Sequence, residues 1–228
     1  MRNHPACVAV VALVLASCSS GPPALPEDIV GSATTCAVVS ASEARSAIQD
    51  PLTPLSLEQQ SQIIHYALLA GAADPGFSRD NANAVVKQMQ MVADRITGDK
   101  WKPLAPLCKT AFPEADLGKA VTLPAADDQA QLQCYALGDF MVRALGAYDE
   151  TYREAVTKYN GTLTKLDPLI QEILTKQGIK PDDTKALSAE KGKALAVAAK
   201  LGPPSKTMDA CMARFPADTE VKLPAAKE

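Results

Sequence analysis

Cys108-Lys109-Thr110-Ala111-Phe112-Pro113 returns as Cys211-Met212-Ala213-Arg214-Phe215-Pro216, and this shared C-x-x-x-F-P pattern decides the fold. A few residues on, Val121-Thr122-Leu123-Pro124-Ala125-Ala126 is matched by Val221-Lys222-Leu223-Pro224-Ala225-Ala226, in the same order and after nearly the same gap. Working backwards, Cys36-Ala37 precedes Cys134-Tyr135 by a similar distance. Each copy therefore opens near one cysteine and closes after another, giving two tandem, similar units at 36–126 and 127–228. Duplication favours the same bond in each copy, so Cys36 pairs with Cys108 and Cys134 with Cys211. A cross-unit arrangement is the alternative among the three connectivities that four cysteines allow. Each bridge closes a long loop and constrains the unfolded chain by on the order of 4 kcal/mol.

Apolar spacing makes both units helical. In the first, Ala41–Ile48 reads as the opening helix, halted before Pro51 and Pro54. Ser56-Leu57-Glu58-Gln59 fits a capping box, and Ile63, Ile64, Ala67 and Leu68 form a stripe ending at Gly71. Asp80 opens the next helix, with Ala82, Val85, Val86, Met89, Val92, Ala93 and Ile96 along one face and Gly98 as its stop. Leu104–Phe112 carries Cys108 and is closed by Pro113. In the second unit a long helix is expected from Asp128 to about Tyr159. Asp167-Pro168 reads as a cap and first-turn proline of a helix ending at Gly178. Thr184–Leu201 and Ser205–Phe215 complete the set. Ala is abundant and aromatics are few, which suits close-packed helices, and no run alternates as a strand does. The expected fold is all-α: a disulfide-stapled bundle of two four-helix units. The phenylalanine, four positions after each late cysteine, faces the same core, and the proline ends the helix. Val-x-Leu-Pro reads as an extended strap across the bundle.

The start of the chain has a different character. Met1-Arg2-Asn3-His4 is a positive head, Ala6–Ala16 is an unbroken apolar run, and Ser17-Cys18-Ser19-Ser20-Gly21-Pro22-Pro23 turns polar at once. A membrane-spanning helix needs about 20 apolar residues, so this run is too short and reads as a targeting segment. Leu15-Ala16-Ser17-Cys18 resembles the lipobox of bacterial lipoprotein precursors. That resemblance implies a signal peptide over 1–17, cleavage before Cys18, and diacylglycerol on the Cys18 sulfur with an acyl chain such as palmitate on its amine. Ser19 is not the Asp that holds many such proteins at the inner membrane. The expected place is the outer membrane, facing the periplasm, in a cell with two membranes. Residues 18–35, polar and rich in Pro and small residues, read as a flexible tether, at about 3 Å per residue when extended.

Losing residues 1–17 removes one arginine and no acid, lowering the net charge from −3 to about −4. No basic stripe is present, so no nucleic-acid partner is expected. His65 is the mature chain's histidine, without His-x-x-x-His or Cys-x-x-Cys spacing, and no metal or cofactor is expected. Asp149, Glu150 and Glu154 cluster beside Arg143 and Arg153, which reads as ordinary ion pairing rather than a catalytic pair. Tyr148, Tyr152 and Tyr159, with Arg153 among them, would line one face of the expected long helix. Tyrosine and arginine are favoured at binding hot spots, so these four residues are the candidate binding surface; packing against a neighbouring helix is the competing reading. The chain is thus expected to be no enzyme but an anchored module that binds an envelope protein or cell-wall component. The alternatives are a carrier of a small apolar ligand in a helical cavity and, third, a wall-acting enzyme.

Overall fold

The structure, a computed structural model, describes residues 23–74 and 76–217. The lipobox, the targeting segment and the second strap lie outside the described residues. Among those described there is no strand, and no helix is long and apolar enough to cross a membrane. The fold is all-α, and the two bridges are Cys36–Cys108 and Cys134–Cys211, with Cα atoms 5.4 and 5.7 Å apart.

The elements follow from their caps. Helix α1 (Ile29–Ser46) starts where the Asp28 carboxylate accepts from Gly31 N at 2.7 Å. The tether expected to reach residue 35 therefore ends by Asp28, and the opening helix is much longer than 41–48. Thr34 and Thr35 hid this: their β-branching disfavours helix, but their hydroxyls donate to Val30 O and Gly31 O one turn back, at 2.7 and 2.9 Å. Helix α2 (Leu57–Gly71) has the expected capping box, Ser56 and Gln59 bonding reciprocally at 3.1 and 2.9 Å. Helix α3 (Arg79–Ala93) is capped by Ser78, and its last expected residue, Ile96, lies beyond its end. Helix α4 (Ala105–Ala111) carries Cys108.

The long helix expected over 128–159 is broken. Helix α5 (Asp127–Gly146) stops, and Asp149 caps a new short helix, α6 (Glu150–Val156), through a bond from Thr151 N at 2.8 Å. An aspartate read as a surface acid is an N-cap. After a 3₁₀ turn, α7 (Asn160–Lys176) runs straight through Asp167-Pro168. Pro168 and Thr164, whose carbonyl it leaves without a helical donor, both lie at an exposed stretch of α7, and the helix continues. Helix α8 (Thr184–Ala198) and α9 (Pro204–Arg214) match expectation closely. Helices α4 and α9 end alike: Phe112 N donates to Cys108 O at 2.9 Å and Phe215 N to Cys211 O at 2.8 Å, with near-identical backbone angles.

Helices α1, α2 and α3 pack together, with α4 stapled to α1; α5 supports α6, α7, α8 and α9. Helix α2 also packs on α8 and α9, joining the two halves. One continuous core results, drawing on Cys36, Leu68, Val85, Phe112, Cys134, Leu137, Met141 and Met208 alike. A small satellite, Ile170, Ile173 and Leu174, lies under α7. Contacts between α5, α7 and α9 are tight at Gly138, where an added Cβ would come within 2.7 Å of Leu163 and 2.9 Å of Met208. Residues 117–126 cross α9 as the predicted strap. Lys206 donates to Leu117 O, and Arg214 to Ala125 O at 2.9 Å and to Asp127 at 2.5 Å.

Candidate functional site

The four residues read as a binding surface are dispersed by the break at Asp149. Tyr152 is 5% exposed and donates to Leu55 O at 3.0 Å. Tyr159 is wholly buried, its hydroxyl without a hydrogen-bond partner among the described residues, and burial pushes its pKa well above the ordinary tyrosine value. Both are core residues, and the reading that put three rings along one exposed face is corrected. Arg153 donates to Gly146 O at 3.0 Å and pairs with Glu150, closing the α5–α6 turn. Of the three rings only Tyr148 is displayed, at 69% exposure, with its centroid 5.9 Å from that of Tyr152, and the exposed Arg153 lies on the same short segment.

What the sequence reading missed is an exposed apolar residue on another loop. Leu52, 88% exposed, sits in the loop between α1 and α2. The Tyr152–Leu55 bond holds that loop beside the α5–α6 turn, and Arg45 pins it by donating to Thr53 O at 2.5 Å. One end of the bundle thus displays an exposed leucine and an exposed tyrosine on two fastened loops. The signal was Leu52 between Pro51 and Pro54: an apolar residue in a loop that cannot join a helix.

Two surface grooves complete the candidates. One, of about 300 Å³, lies between α5 and α7 and is lined by Tyr135, Asp139, Leu163, Thr164 and Asp167. Tyr135 donates to Asp167 at 2.7 Å, with Lys191 over its ring at 4.8 Å; burial first, then that carboxylate, raises its pKa far above normal. The second, of about 290 Å³, runs between α1, α2 and α4 over the Cys108 bridge, Tyr66 and Phe112. The Tyr66 hydroxyl is pushed up to about 12 by burial and by the nearby Glu43 and Asp116 carboxylates. Both grooves are open and carry carboxylates, unlike the enclosed apolar chamber a carrier requires. The expectation that no Ser-x-x-Lys spacing occurs is corrected by Ser188 and Lys191. They serve separate neighbours: Arg79 donates to the Ser188 hydroxyl at 3.2 Å, and the Lys191 ammonium caps Tyr135. Of the acids beside Arg143 and Arg153, Asp149 is a cap and Glu150 an ion-pair partner. Among the described residues, no group of three or more His, Cys, Asp or Glu is arranged to hold a metal.

Comparison with known proteins gives no family model, no curated protein and no solved structure that matches this chain.

Proposed function

We propose that the chain is a lipid-anchored envelope protein, non-catalytic, whose duplicated helical body binds an envelope protein or cell-wall component. The observation that carries this is the cysteine pairing. Four cysteines close two bridges inside the helical body, so Cys18 is the mature cysteine outside both, at the end of a lipobox. An odd cysteine in an exported chain needs a role, and lipid on its sulfur supplies one. Signal peptide, lipid anchor and an outer-membrane site facing the periplasm belong to this reading together.

The registers of the helices support duplication. Ile29 and Asp127, the starts of α1 and α5, are 98 positions apart, as are Cys36 and Cys134. Leu57 and Asn160, the starts of α2 and α7, are 103 apart, as are Cys108 and Cys211. The loop carrying Leu52 follows the C-terminal end of α1, about 27 Å along the helix from the end that leads to the anchor. An anchored body with α1 upright holds Leu52 and Tyr148 towards whatever faces the membrane.

Two measurements test the reading. The mature protein's mass should place a diacylated, acylated cysteine at residue 18; an intact Met1 or an unmodified Cys18 overturns the anchor. Leu52→Ser with Tyr148→Ser should abolish cross-links to envelope protein or binding to isolated cell wall, with an unchanged melting temperature. Unaltered capture by that double variant overturns the proposed surface.

A further inference from the structure

The C-terminal end of α8 is held by the opposite half of the molecule. The last turn of a helix leaves carbonyls without partners. Here the Ala199 carbonyl accepts from His65 Nε2 of α2 at 2.7 Å, and the Lys200 carbonyl from Lys119 Nζ at 3.3 Å. Two residues on, Gly202 (φ 152°) turns the chain into α9, and a Cβ there would come within 2.9 Å of Val121 of the strap. A histidine from α2 and the start of the strap therefore clasp the α8–α9 corner. Both disulfides lie within one half each, so this clasp is noncovalent.

His65 is wholly buried. With Nε2 donating, the neutral ring keeps its proton there and leaves Nδ1 an acceptor, and Nδ1 has no hydrogen-bond partner among the described residues. A second proton would create a buried N–H with no acceptor, on a cationic ring. We infer that His65 is an acid-sensitive latch: its protonation releases the Ala199 carbonyl and opens the α8–α9 corner, while the two stapled halves stay folded.

The surroundings leave the added charge uncompensated. Lys119, at the start of the strap, is the charged group felt at the ring, and it repels a second cation. Glu58 of α2 and Lys206 of α9 face each other at 3.8 Å. Glu43 of α1 and Asp116 of the turn after α4 act on Tyr66, and Arg79 of α3 is engaged with Ser188 of α8. Burial is the main cause that lowers the His65 pKa from 6.5 to about 4; the Ala199 bond opposes it and Lys119 adds to it. In the open state the ring titrates near 6.5. The latch is therefore fully effective above that pH and weakens as pH falls from 6.5 towards 4. The closed-to-open ratio should fall on the order of 100-fold across that window.

Hydrogen exchange on the oxidised full-length chain, corrected for intrinsic rates, tests this at pH 7.5 and 4.5. Protection over 196–204 and 117–123 should drop at the lower pH while α1 and α5 hold theirs, and His65→Gln should flatten that pH dependence. A uniform loss along the chain, or the same local loss in His65→Gln, overturns the latch. Ring NMR of the unaltered protein gives a second reading independent of any variant. The latch requires the Nε2–H tautomer and a His65 midpoint at least one unit below 6.5; ordinary titration near 6.5 overturns it.

Discussion

Helices α2 and α7 hold equivalent positions beside the cysteine-bearing helices α1 and α5, yet their surroundings differ. Helix α2 has ten buried residues and packs against both halves; α7 has five and rests mainly on α5. Their sequences anticipate this. Glu58 is the single charged residue of α2, and even its polar Gln60, Ser61 and His65 are buried. Helix α7 shows Asp167, Glu172 and Lys176 to solvent over a narrow apolar stripe. A helix set between two halves must serve two neighbours, whereas one at the edge of the bundle must meet water on its far side.

The largest expected effects test whether the halves are alike once this asymmetry is set aside. The bridges span 72 and 77 residues, so replacing either cysteine pair by serine should lower stability by about 4 kcal/mol in urea unfolding. A difference above about 2 kcal/mol between them would break the equivalence, because loop closure acts on unfolded chains of nearly equal constraint. Core truncation sharpens the contrast. Leu68→Ala in α2 should cost about 4 kcal/mol, whereas Leu174→Ala, in the small satellite that can collapse around the gap, should cost about 2.5 kcal/mol. Equal losses would mean that α7 is as firmly embedded as α2.

The smallest effects concern hydroxyls. Tyr152→Phe removes the bond to Leu55 O and should cost about 1 kcal/mol, loosening the loop that presents Leu52. Tyr159→Phe removes a buried hydroxyl that has no partner among the described residues, so thermal denaturation should show no loss or a slight gain. A large loss at Tyr159 would reveal a partner for that hydroxyl and restore part of the tyrosine cluster as a working surface.

Most of the fold was legible because its determinants are local or repeated. The cysteine pairing came from C-x-x-x-F-P occurring twice, and the start of α2 from Ser56 and Gln59. The errors arose where one residue type serves two purposes. Asp28 and Asp149 are caps that look like surface acids, Thr34 and Thr35 are helical because their hydroxyls bond back one turn, and Pro168 sits inside a helix at an exposed stretch. The candidate site was harder to read. Spacing alone placed three tyrosines on one face, but a single break at Asp149 sent two of them inward. The Tyr152–Leu55 bond that holds the loops of Leu52 and Tyr148 at one end joins segments nearly a hundred residues apart, and nothing local encodes it.

The bridges also set how the molecule yields when pulled. A force applied between its two ends travels through the backbone to Cys36, across to Cys108, along the chain to Cys134, and across again to Cys211. Nearly all of α2, α3, α7 and α8 is bypassed and carries no tension. Between the crosslinks the extensible thread is the stretch 108–134, which contains the strap lying over α9. Peeling that strap lengthens the protein by at most roughly 90 Å before the crosslinks bear the load. A body tied to one surface and gripping another would then behave as a short tether with a fixed stop.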